Sequence, residues 1–228
     1  MTDAVILVGG KGSRLGKLTK NTPKPLLKIK NKTFIDILLS KLIKYKFKRI
    51  FLLCSFKKEK FFKLYNNKTY HESKIICINE GEPKDTAGAL YKLKFKIKNN
   101  FFLLNGDTFF DINLNLLTLS HKNIVCNMAL TKNNYNANKK MNNLSINNKG
   151  LIKYSTKKTN LMNGGIYLLN KKIFKFITNK KISLENEIFP KLIDKKKLQG
   201  TFFNEKFIDI GNKKNLSYLR NNEHYLKQ

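Results

Sequence analysis

A cluster of glycines beside cationic side chains is the first feature of this sequence that could do chemistry. Gly9, Gly10 and Gly12 stand close together, and Arg14 and Lys24 follow them. Glycines let a backbone turn with its N–H groups exposed and approach a ligand without a Cβ in the way. A guanidinium fork and an ammonium group would neutralise a polyphosphate in such a loop. The pattern therefore predicts a phosphate-binding loop.

Acidic residues further along the chain are candidate Mg²⁺ ligands. Asp107 follows an apolar run, with Gly106 leaving room for a nucleotide, and Asp209 lies between two isoleucines. A carboxylate at the tip of a buried strand suits Mg²⁺, and an unpaired carboxylate among apolar residues is costly unless it binds a cation. Asp111 is the fallback for Asp107, although it fits better as the start of the next helix or turn.

The elements that must position these residues alternate along the chain. The apolar run 4–8 predicts a buried parallel strand that delivers the glycine loop to the carboxyl edge of a sheet. The alternation predicts an α/β fold with a doubly wound, mostly parallel sheet, and a turn-rich cluster adds a small antiparallel hairpin. The predicted strands are 49–55, 74–79, 99–104, 124–130, 163–169 and 207–211, the helices 33–47, 57–65 and 212–225, and the hairpin 142–152.

Two familiar phosphate motifs do not fit the loop. The P-loop needs Ser or Thr directly after Gly-Lys, where Gly12 stands, and the dinucleotide motif needs a glycine where Leu15 stands. The loop instead resembles that of the sugar-phosphate nucleotidylyltransferase family, G-G-x-G-x-R-L followed by P-K-P. The alternative is a glycine turn with surface cations. The matching residues are Gly9, Gly10, Gly12, Arg14, Leu15, Thr19, Pro23, Lys24 and Pro25.

The resemblance implies a Rossmann-like, glycosyltransferase-A-like fold and a reaction. An NTP and a sugar 1-phosphate would give an NDP-sugar and pyrophosphate, with Mg²⁺ as cofactor. Arg14, Lys24 and Asp107 would be catalytic, and Asp107 and Asp209 would hold the metal. The implied nucleotide-binding residues are Leu7, Gly9, Gly10, Gly12, Ser13, Arg14, Lys24, Glu80, Pro83, Asp85, Thr86 and Gly106.

The segment 80–90 resembles the family's E-x-E-P-L-G-T-A-G-A segment, which lines the base pocket. Glu80 could accept two hydrogen bonds from the N1–H and N2–H₂ edge of guanine, and Thr86 could bond a base or a ribose. Asp85 stands where many members carry glycine. The alternative is an ordinary capped helix start.

Sugar recognition is assigned by resemblance to Asn163, Gly164 and Glu185. The first two begin a segment similar to the family's N-A/G-G-I-Y strand, although paired glycines can also mark a β-bulge. Glu185 could equally complement a helix dipole. The family's Phe-x-Glu-Lys glutamate is missing, because Thr156 stands there.

Within the family, the chain most resembles members that transfer a guanylyl group to a heptose 1-phosphate. The features that carry this similarity are the run 106–112, the chain length and the segment 183–190. Members that act on mannose 1-phosphate are the next most similar. GTP and a role in making surface polysaccharide precursors are therefore expected. The alternatives are thymidylyl or uridylyl transfer to glucose 1-phosphate, and a non-catalytic basic protein that binds nucleotides or nucleic acid. No hexapeptide repeat is visible, so we expect one nucleotidyltransferase domain over residues 1–228 without a β-helix domain.

The composition indicates which other partners and which location to expect. The net charge is +31, but most of the excess is lysine interleaved with asparagine, which favours solvated helix faces over nucleic-acid binding. Three dispersed cysteines predict buried thiols without a disulfide framework. No leader is visible and no apolar run approaches the roughly 20 residues that span a bilayer, so we expect a cytoplasmic protein without a membrane partner. Homodimerisation is left open.

Overall fold

The computed structural model describes residues 2–132, 144–155, 157 and 159–226. The chain divides into two units. Unit 1 contains Met1–Pro83, Leu104–Phe109 and Ile208–Gln228. Unit 2 contains Lys84–Leu103 and Phe110–Phe207.

Fourteen strands and five α-helices, together with short 3₁₀ helices and a π-helix over Leu184–Ile188, make up the regular structure of the described residues. The strands are β1 (Asp3–Leu7), β2 (Lys28–Ile29), β3 (Lys32–Thr33), β4 (Arg49–Cys54), β5 (Thr69–Tyr70), β6 (Ser73–Asn79), β7 (Phe101–Asn105), β8 (Thr108–Phe110), β9 (Cys126–Lys132), β10 (Leu144–Ile146), β11 (Ile152–Tyr154), β12 (Leu161–Leu169), β13 (Leu198–Phe202) and β14 (Phe207–Asp209). The helices are α1 (Phe34–Leu42), α2 (Lys58–Tyr65), α3 (Asp85–Leu90), α4 (Phe189–Asp194) and α5 (Lys213–Asn221).

The sheet of unit 1 carries the glycine loop. Its order is β1, β4, β6, β5, in which β1 is parallel to β4 and β4 to β6, whereas β5 is antiparallel to β6. Val5, Ile6 and Leu52 are fully buried, as expected for parallel strands covered on both faces. The glycine loop therefore leaves the carboxyl end of a rigid central strand.

Local sequence explains the helices of unit 1. Thr33 caps α1 through a capping box in which its hydroxyl accepts from the Asp36 N–H and Asp36 accepts from the Thr33 N–H. The α-helix ends at Leu42 and continues as a 3₁₀ turn to Tyr45, earlier than the predicted residue 47. In α2, Phe61 and Tyr65 are buried while its outer face carries lysines.

Unit 2 contains the sheet order β13, β9, β12, β7. Strand β13 is parallel to β9, and β12 is antiparallel to β9 with a register shift between Asn163 and Tyr167. Strands β10 and β11 form an antiparallel pair, which agrees with the predicted hairpin; residues 142 and 143 of that prediction lie outside the described residues.

The predicted fold class is confirmed, because most strand pairs in the main sheets of the two units are parallel and helices alternate with the strands. The assignment of residues 1–228 to one domain stays a prediction. All three cysteines are free and buried, as predicted. Within the described residues, no helix combines the length and apolarity needed to cross a bilayer.

Candidate active site

The three glycines of the loop differ in what each one requires. Gly12 has a φ of 67°, in the left-handed region that favours glycine, and its carbonyl accepts a 2.9 Å hydrogen bond from the Thr19 hydroxyl. A Cβ at Gly9 would overlap Glu80 Oε1, whereas a Cβ at Gly10 would meet nothing within 4 Å. Gly9 therefore permits close packing, Gly12 permits the turn, and Gly10 lies open to a ligand.

Lys24 lies in a stiff and buried segment. Pro23 and Pro25 flank it, and a 3₁₀ turn over Lys24–Leu26 fixes the local backbone. Only 8% of the residue is exposed. Its Nζ lies 2.7 Å from Asp107 Oδ2, so an ion pair joins the segment after the glycine loop to the turn after β7.

Asp107 is held next to the end of β1 by its neighbours. The Gly106 N–H donates a 3.0 Å hydrogen bond to the Leu7 carbonyl, and a Cβ at Gly106 would lie 2.5 Å from that oxygen. The Ile210 N–H donates to the Asp107 carbonyl over 2.9 Å. These backbone bonds bring both predicted aspartate segments to the end of the same strand.

Asp209 completes a cluster of four charged groups. Burial raises the pKa of its carboxyl, and the negative charge of Asp107 raises that pKa further. A hydrogen bond from the Gly211 N–H and the charges of Lys24 and Arg14 act in the opposite direction. A Cβ at Gly211 would lie 2.8 Å from Arg14 Nη2 and 2.7 Å from Asp209 Oδ1, so this glycine lets the two side chains approach.

The donor set fits a hard divalent cation. Asp107 and Asp209 supply carboxylate oxygens, which Mg²⁺ accepts together with substrate phosphates and waters. No group of three or more His, Cys, Asp or Glu side chains that could hold a metal occurs in the described part of the chain. Two carboxylates therefore suit an ion that arrives with a nucleotide better than an ion enclosed by protein ligands.

Glu80 is the buried acid beside the loop. It is 5% exposed, and burial raises the pKa of its carboxyl to about 7. Its N–H donates to the Cys54 carbonyl, which extends the line of β6 past Asn79. Ser13 and Pro83, two other predicted nucleotide-binding residues, are exposed.

The predicted base-binding and sugar-binding residues of unit 2 are partly joined to each other. The Thr86 hydroxyl donates to Glu185 Oε2 over 2.8 Å and accepts from the Leu184 N–H over 2.8 Å. The Ser183 hydroxyl also donates to Glu185 Oε2, over 3.1 Å. The hydroxyl proton of Thr86 is donated to Glu185, and one oxygen lone pair accepts from the Leu184 N–H. One lone pair of this hydroxyl is therefore left for a nucleotide. Its predicted nucleotide-binding role stays a prediction.

Asp85 begins α3 with a φ of 55°, an uncommon conformation for a non-glycine residue. This is the position where the resembled family often has glycine, the residue that adopts a positive φ without steric cost.

The bulge in β12 involves two predicted sugar-binding residues. Asn163 Nδ2 donates to the Tyr167 hydroxyl over 2.8 Å, and Asn163 Oδ1 accepts from the Gly165 N–H over 2.9 Å. A Cβ at Gly164 would overlap the Phe110 ring. The register shift between Asn163 and Tyr167 agrees with the β-bulge alternative, and sugar binding by these residues stays a prediction. Thr156 lies outside the described residues.

Sequence reasoning missed two features. The Thr86–Glu185 hydrogen bond joins residues 99 positions apart, and no local pattern indicates it. Lys17 and Lys20 line a cavity next to the loop, but their residue type is too abundant in this chain to be a signal.

The fold, the glycine loop and the clustered charges agree with the match of this chain to a known protein family. The family model described as Nucleotidyl transferase matches residues 3–228, and the chain belongs to that family. It is a sugar-phosphate nucleotidyltransferase, as the sequence motifs indicated.

Two related proteins and one solved structure are similar to this chain over most of its length. The chain is 37% identical over 214 residues to D-glycero-alpha-D-manno-heptose 1-phosphate guanylyltransferase of Campylobacter jejuni, covering 91% of this chain and 94% of that protein. It is 33% identical to the bifunctional protein GlmU of Methanococcus vannielii, covering 99% of this chain but 55% of that protein. The crystal structure of HddC from Yersinia pseudotuberculosis complexed with GMP-PN superposes with a TM-score of 0.75 at 25% identity, covering 98% of this chain and 100% of that one.

Proposed function

We propose that this enzyme is a guanylyltransferase that forms a GDP-sugar and pyrophosphate from GTP and D-glycero-alpha-D-manno-heptose 1-phosphate, or mannose 1-phosphate. The observation that carries the proposal is the cluster of Arg14, Lys24, Asp107 and Asp209 around the end of β1. The similarity to the Campylobacter jejuni guanylyltransferase supports the choice of base and sugar. The product would serve as a precursor of surface polysaccharide.

The reaction needs positioning and charge neutralisation but no protein nucleophile. A phosphate oxygen of the sugar 1-phosphate attacks the α-phosphorus of GTP. The bond from that phosphorus to the oxygen bridging to the β-phosphate breaks, and pyrophosphate leaves with the electron pair. Arg14 and the N–H groups of the glycine loop would hold the β- and γ-phosphates.

Lys24 would contact both the α-phosphate and the incoming sugar phosphate. Its ion pair with Asp107 already fixes the ammonium group in a buried position, so little reorganisation is needed when the phosphates bind. Asp107 and Asp209 would hold Mg²⁺, which when bound reduces the repulsion between the two phosphates. No other side chain of unit 1 is assigned a catalytic role.

Recognition of the base and of the sugar is assigned to residues outside this cluster. Glu80 in its ionised form would accept from the guanine edge, and Leu7, Ser13 and Pro83 would also contact the nucleotide. Asp85 would complete nucleotide binding, and Thr86 would act through its hydrogen bond to Glu185. We assign the sugar to Asn163, Gly164 and Glu185, and we propose that residues 1–228 act as one nucleotidyltransferase domain.

Pyrophosphate release tests the proposal. The chain is assayed with each of four NTPs against the 1-phosphates of heptose, mannose, glucose and N-acetylglucosamine, with and without EDTA. We expect EDTA-sensitive release with GTP and the heptose or mannose compound. Activity only with TTP or UTP and glucose 1-phosphate would contradict the base and sugar assignments. Retention of RNA without pyrophosphate release from any pair would instead support a non-catalytic basic protein.

A further inference from the structure

Two cysteines lie side by side in the sheet of unit 1, and the proposed chemistry uses neither of them. Cys54 ends β4, and Cys77 lies in β6, the neighbouring parallel strand. Cys77 pairs with Leu52, which is two residues before Cys54. Side chains two residues apart in a strand point to the same face of the sheet. The two thiols therefore share one face and lie diagonally across a strand pair.

The two thiols are enclosed and close to each other. Cys54 is fully buried and Cys77 is 5% exposed. Their side chains are hydrogen-bonded, and this bond raises the pKa of Cys54 and lowers the pKa of Cys77. The Cys77 thiol also lies 3.5 Å from the carbonyl of Phe61, a residue of α2. The pair is therefore covered by α2, and Cys77 is the thiol that ionises more readily.

A disulfide does not suit this pair. Neighbouring strands lie about 4.8 Å apart and a strand rises about 3.3 Å per residue, so an offset of two residues separates the Cα atoms by about 8 Å. A disulfide needs Cα atoms less than about 7 Å apart. An ion placed between the two sulfurs makes a longer bridge, which fits the offset.

The ligand type and the burial define the kind of ion. Thiolates select soft metal ions. Within residues 2–132, 144–155, 157 and 159–226, no third His, Cys, Asp or Glu joins the pair in a group that could hold a metal, so the ion must accept two ligands. A buried net charge is costly, and two thiolates neutralise a divalent ion. A soft divalent ion that is stable with two thiolates, as Hg²⁺ is, meets these conditions.

We propose that Cys54 and Cys77 form a binding site for a soft divalent metal ion of the Hg²⁺ class. Each thiol loses its proton to solvent and each sulfur forms one bond to the ion, so two protons are released per ion and nothing is oxidised or reduced. Helix α2 covers the pair and has no side-chain N-cap. Local opening of this helix admits the ion.

An ion at this site would act on the end of the sheet that carries the glycine loop. The Cys54 carbonyl accepts from the Glu80 N–H, and the Leu53 carbonyl accepts from the Val8 N–H, each over 3.0 Å. Glu80 in turn packs against Gly9. An ion that draws Cys54 towards β6 would shift these partners, so we expect Hg²⁺ to inhibit the enzyme. This consequence rests on the proposed function, whereas the site itself does not.

Mercury retention against a competing monothiol tests the site. The full chain is mixed with one equivalent of HgCl₂ and a small excess of glutathione, and native mass spectrometry measures the mercury retained per chain. Two linked ligands hold an ion about 10²–10⁴-fold more tightly than one, so the wild type should retain one ion. Cys54→Ala and Cys77→Ala should each retain at least tenfold less. The matched control Cys126→Ala, which removes a buried thiol of unit 2, should still retain one ion.

Failure of the wild type to retain mercury, undiminished retention by Cys54→Ala and Cys77→Ala, or loss of mercury from Cys126→Ala would overturn the site. A second test does not depend on the folding of any variant. An anomalous difference map from wild-type crystals soaked in HgCl₂ should show one mercury peak between the sulfurs of Cys54 and Cys77. Separate peaks on the two sulfurs, or a peak at Cys126 alone, would contradict the proposal.

The site, its consequence and the proposed function fail in different ways. If the wild type releases no pyrophosphate with any NTP and sugar 1-phosphate, the proposed function is wrong, and mercury retention still decides the site. If the mercury-loaded chain keeps full pyrophosphate release, only the expected inhibition is wrong.

Discussion

Lys24 Nζ lies 2.7 Å from Asp107 Oδ2, although the two residues are 83 positions apart in the sequence. The pair joins the segment after the glycine loop to the turn after β7. One residue carries the charge that a transferring phosphate needs, and the other belongs to the proposed metal site. The pair therefore links the two parts of the proposed chemistry.

Replacing Lys24 tests its role in stabilising charge. Lys24→Ala should lower kcat/KM about 10²–10³-fold, or about 3–4 kcal/mol of transition-state stabilisation, as for loss of an oxyanion donor. Lys24→Arg should not restore it, because a planar guanidinium does not replace a buried point charge. Steady-state kinetics measure both, with Lys32→Ala at an exposed position as the control. Near-normal turnover of Lys24→Ala would refute the assignment.

The Mg²⁺ requirement for activity should distinguish the proposed metal ligands Asp107 and Asp209 from Asp111. Asp107→Asn and Asp209→Asn should each raise the Mg²⁺ concentration for half-maximal activity at least tenfold, since an amide loses the charge that binds the ion. Asp111→Asn is the matched control, because Asp111 was the fallback ligand in the sequence. A shift in the Mg²⁺ requirement for Asp111→Asn but not for Asp107→Asn would reverse the ligand assignment.

Glu80 should make stability depend on pH. Burial raises its folded-state pKa from 4.5 to about 7, so the folded chain holds a proton that the unfolded chain has released. The stability gained from neutral Glu80 is complete below about pH 4.5 and is lost as pH rises through 7. Between pH 5 and 8 the wild type should lose about 2–3 kcal/mol of unfolding free energy relative to Glu80→Gln.

Urea unfolding of both proteins at several pH values measures this difference, and parallel profiles would show that Glu80 does not titrate in this range.

Ionisation of Glu80 should also affect binding of the guanine base. If the carboxylate accepts from guanine, the KM for GTP should fall between pH 6 and 8 in the wild type and should not do so in Glu80→Gln.

Thr86 should act through Glu185. Thr86→Val keeps the shape but removes the hydrogen bonds to Glu185 and Leu184. Losing such partners costs about 1–3 kcal/mol, so the KM for the sugar 1-phosphate should rise about 5–150-fold with the KM for the NTP little changed. Thr86→Ser should retain both values. A rise confined to the KM for the NTP would instead support direct nucleotide binding by Thr86.

The sequence was sufficient for the elements that local chemistry dictates. The apolar run before Gly9 predicted β1, and the Thr33 and Asp36 pair predicted the start of α1. The acid between Ile208 and Ile210 was predicted to be buried; both isoleucines are buried, and Asp209 itself is half-buried. Each of these depends on neighbours within a few residues.

The remaining features depend on tertiary packing. The burial that raises the pKa of Glu80 comes from the residues packed around it, including Gly9, which is 71 positions earlier in the printed sequence. The bond from Thr86 to Glu185 and the grouping of Lys17 and Lys20 around a cavity have no local pattern either. The short strand β8 was not predicted, because it depends on pairing with the distant β14.

The most direct test of the central claim is a crystal structure of the chain with a non-hydrolysable GTP analogue and Mn²⁺, read from the anomalous signal of the metal. The account predicts one Mn²⁺ peak bound by carboxylate oxygens of both Asp107 and Asp209 and by a phosphate oxygen, with the triphosphate on the glycine loop. A metal peak that contacts neither aspartate, or a triphosphate bound away from Gly9–Gly12, would contradict it.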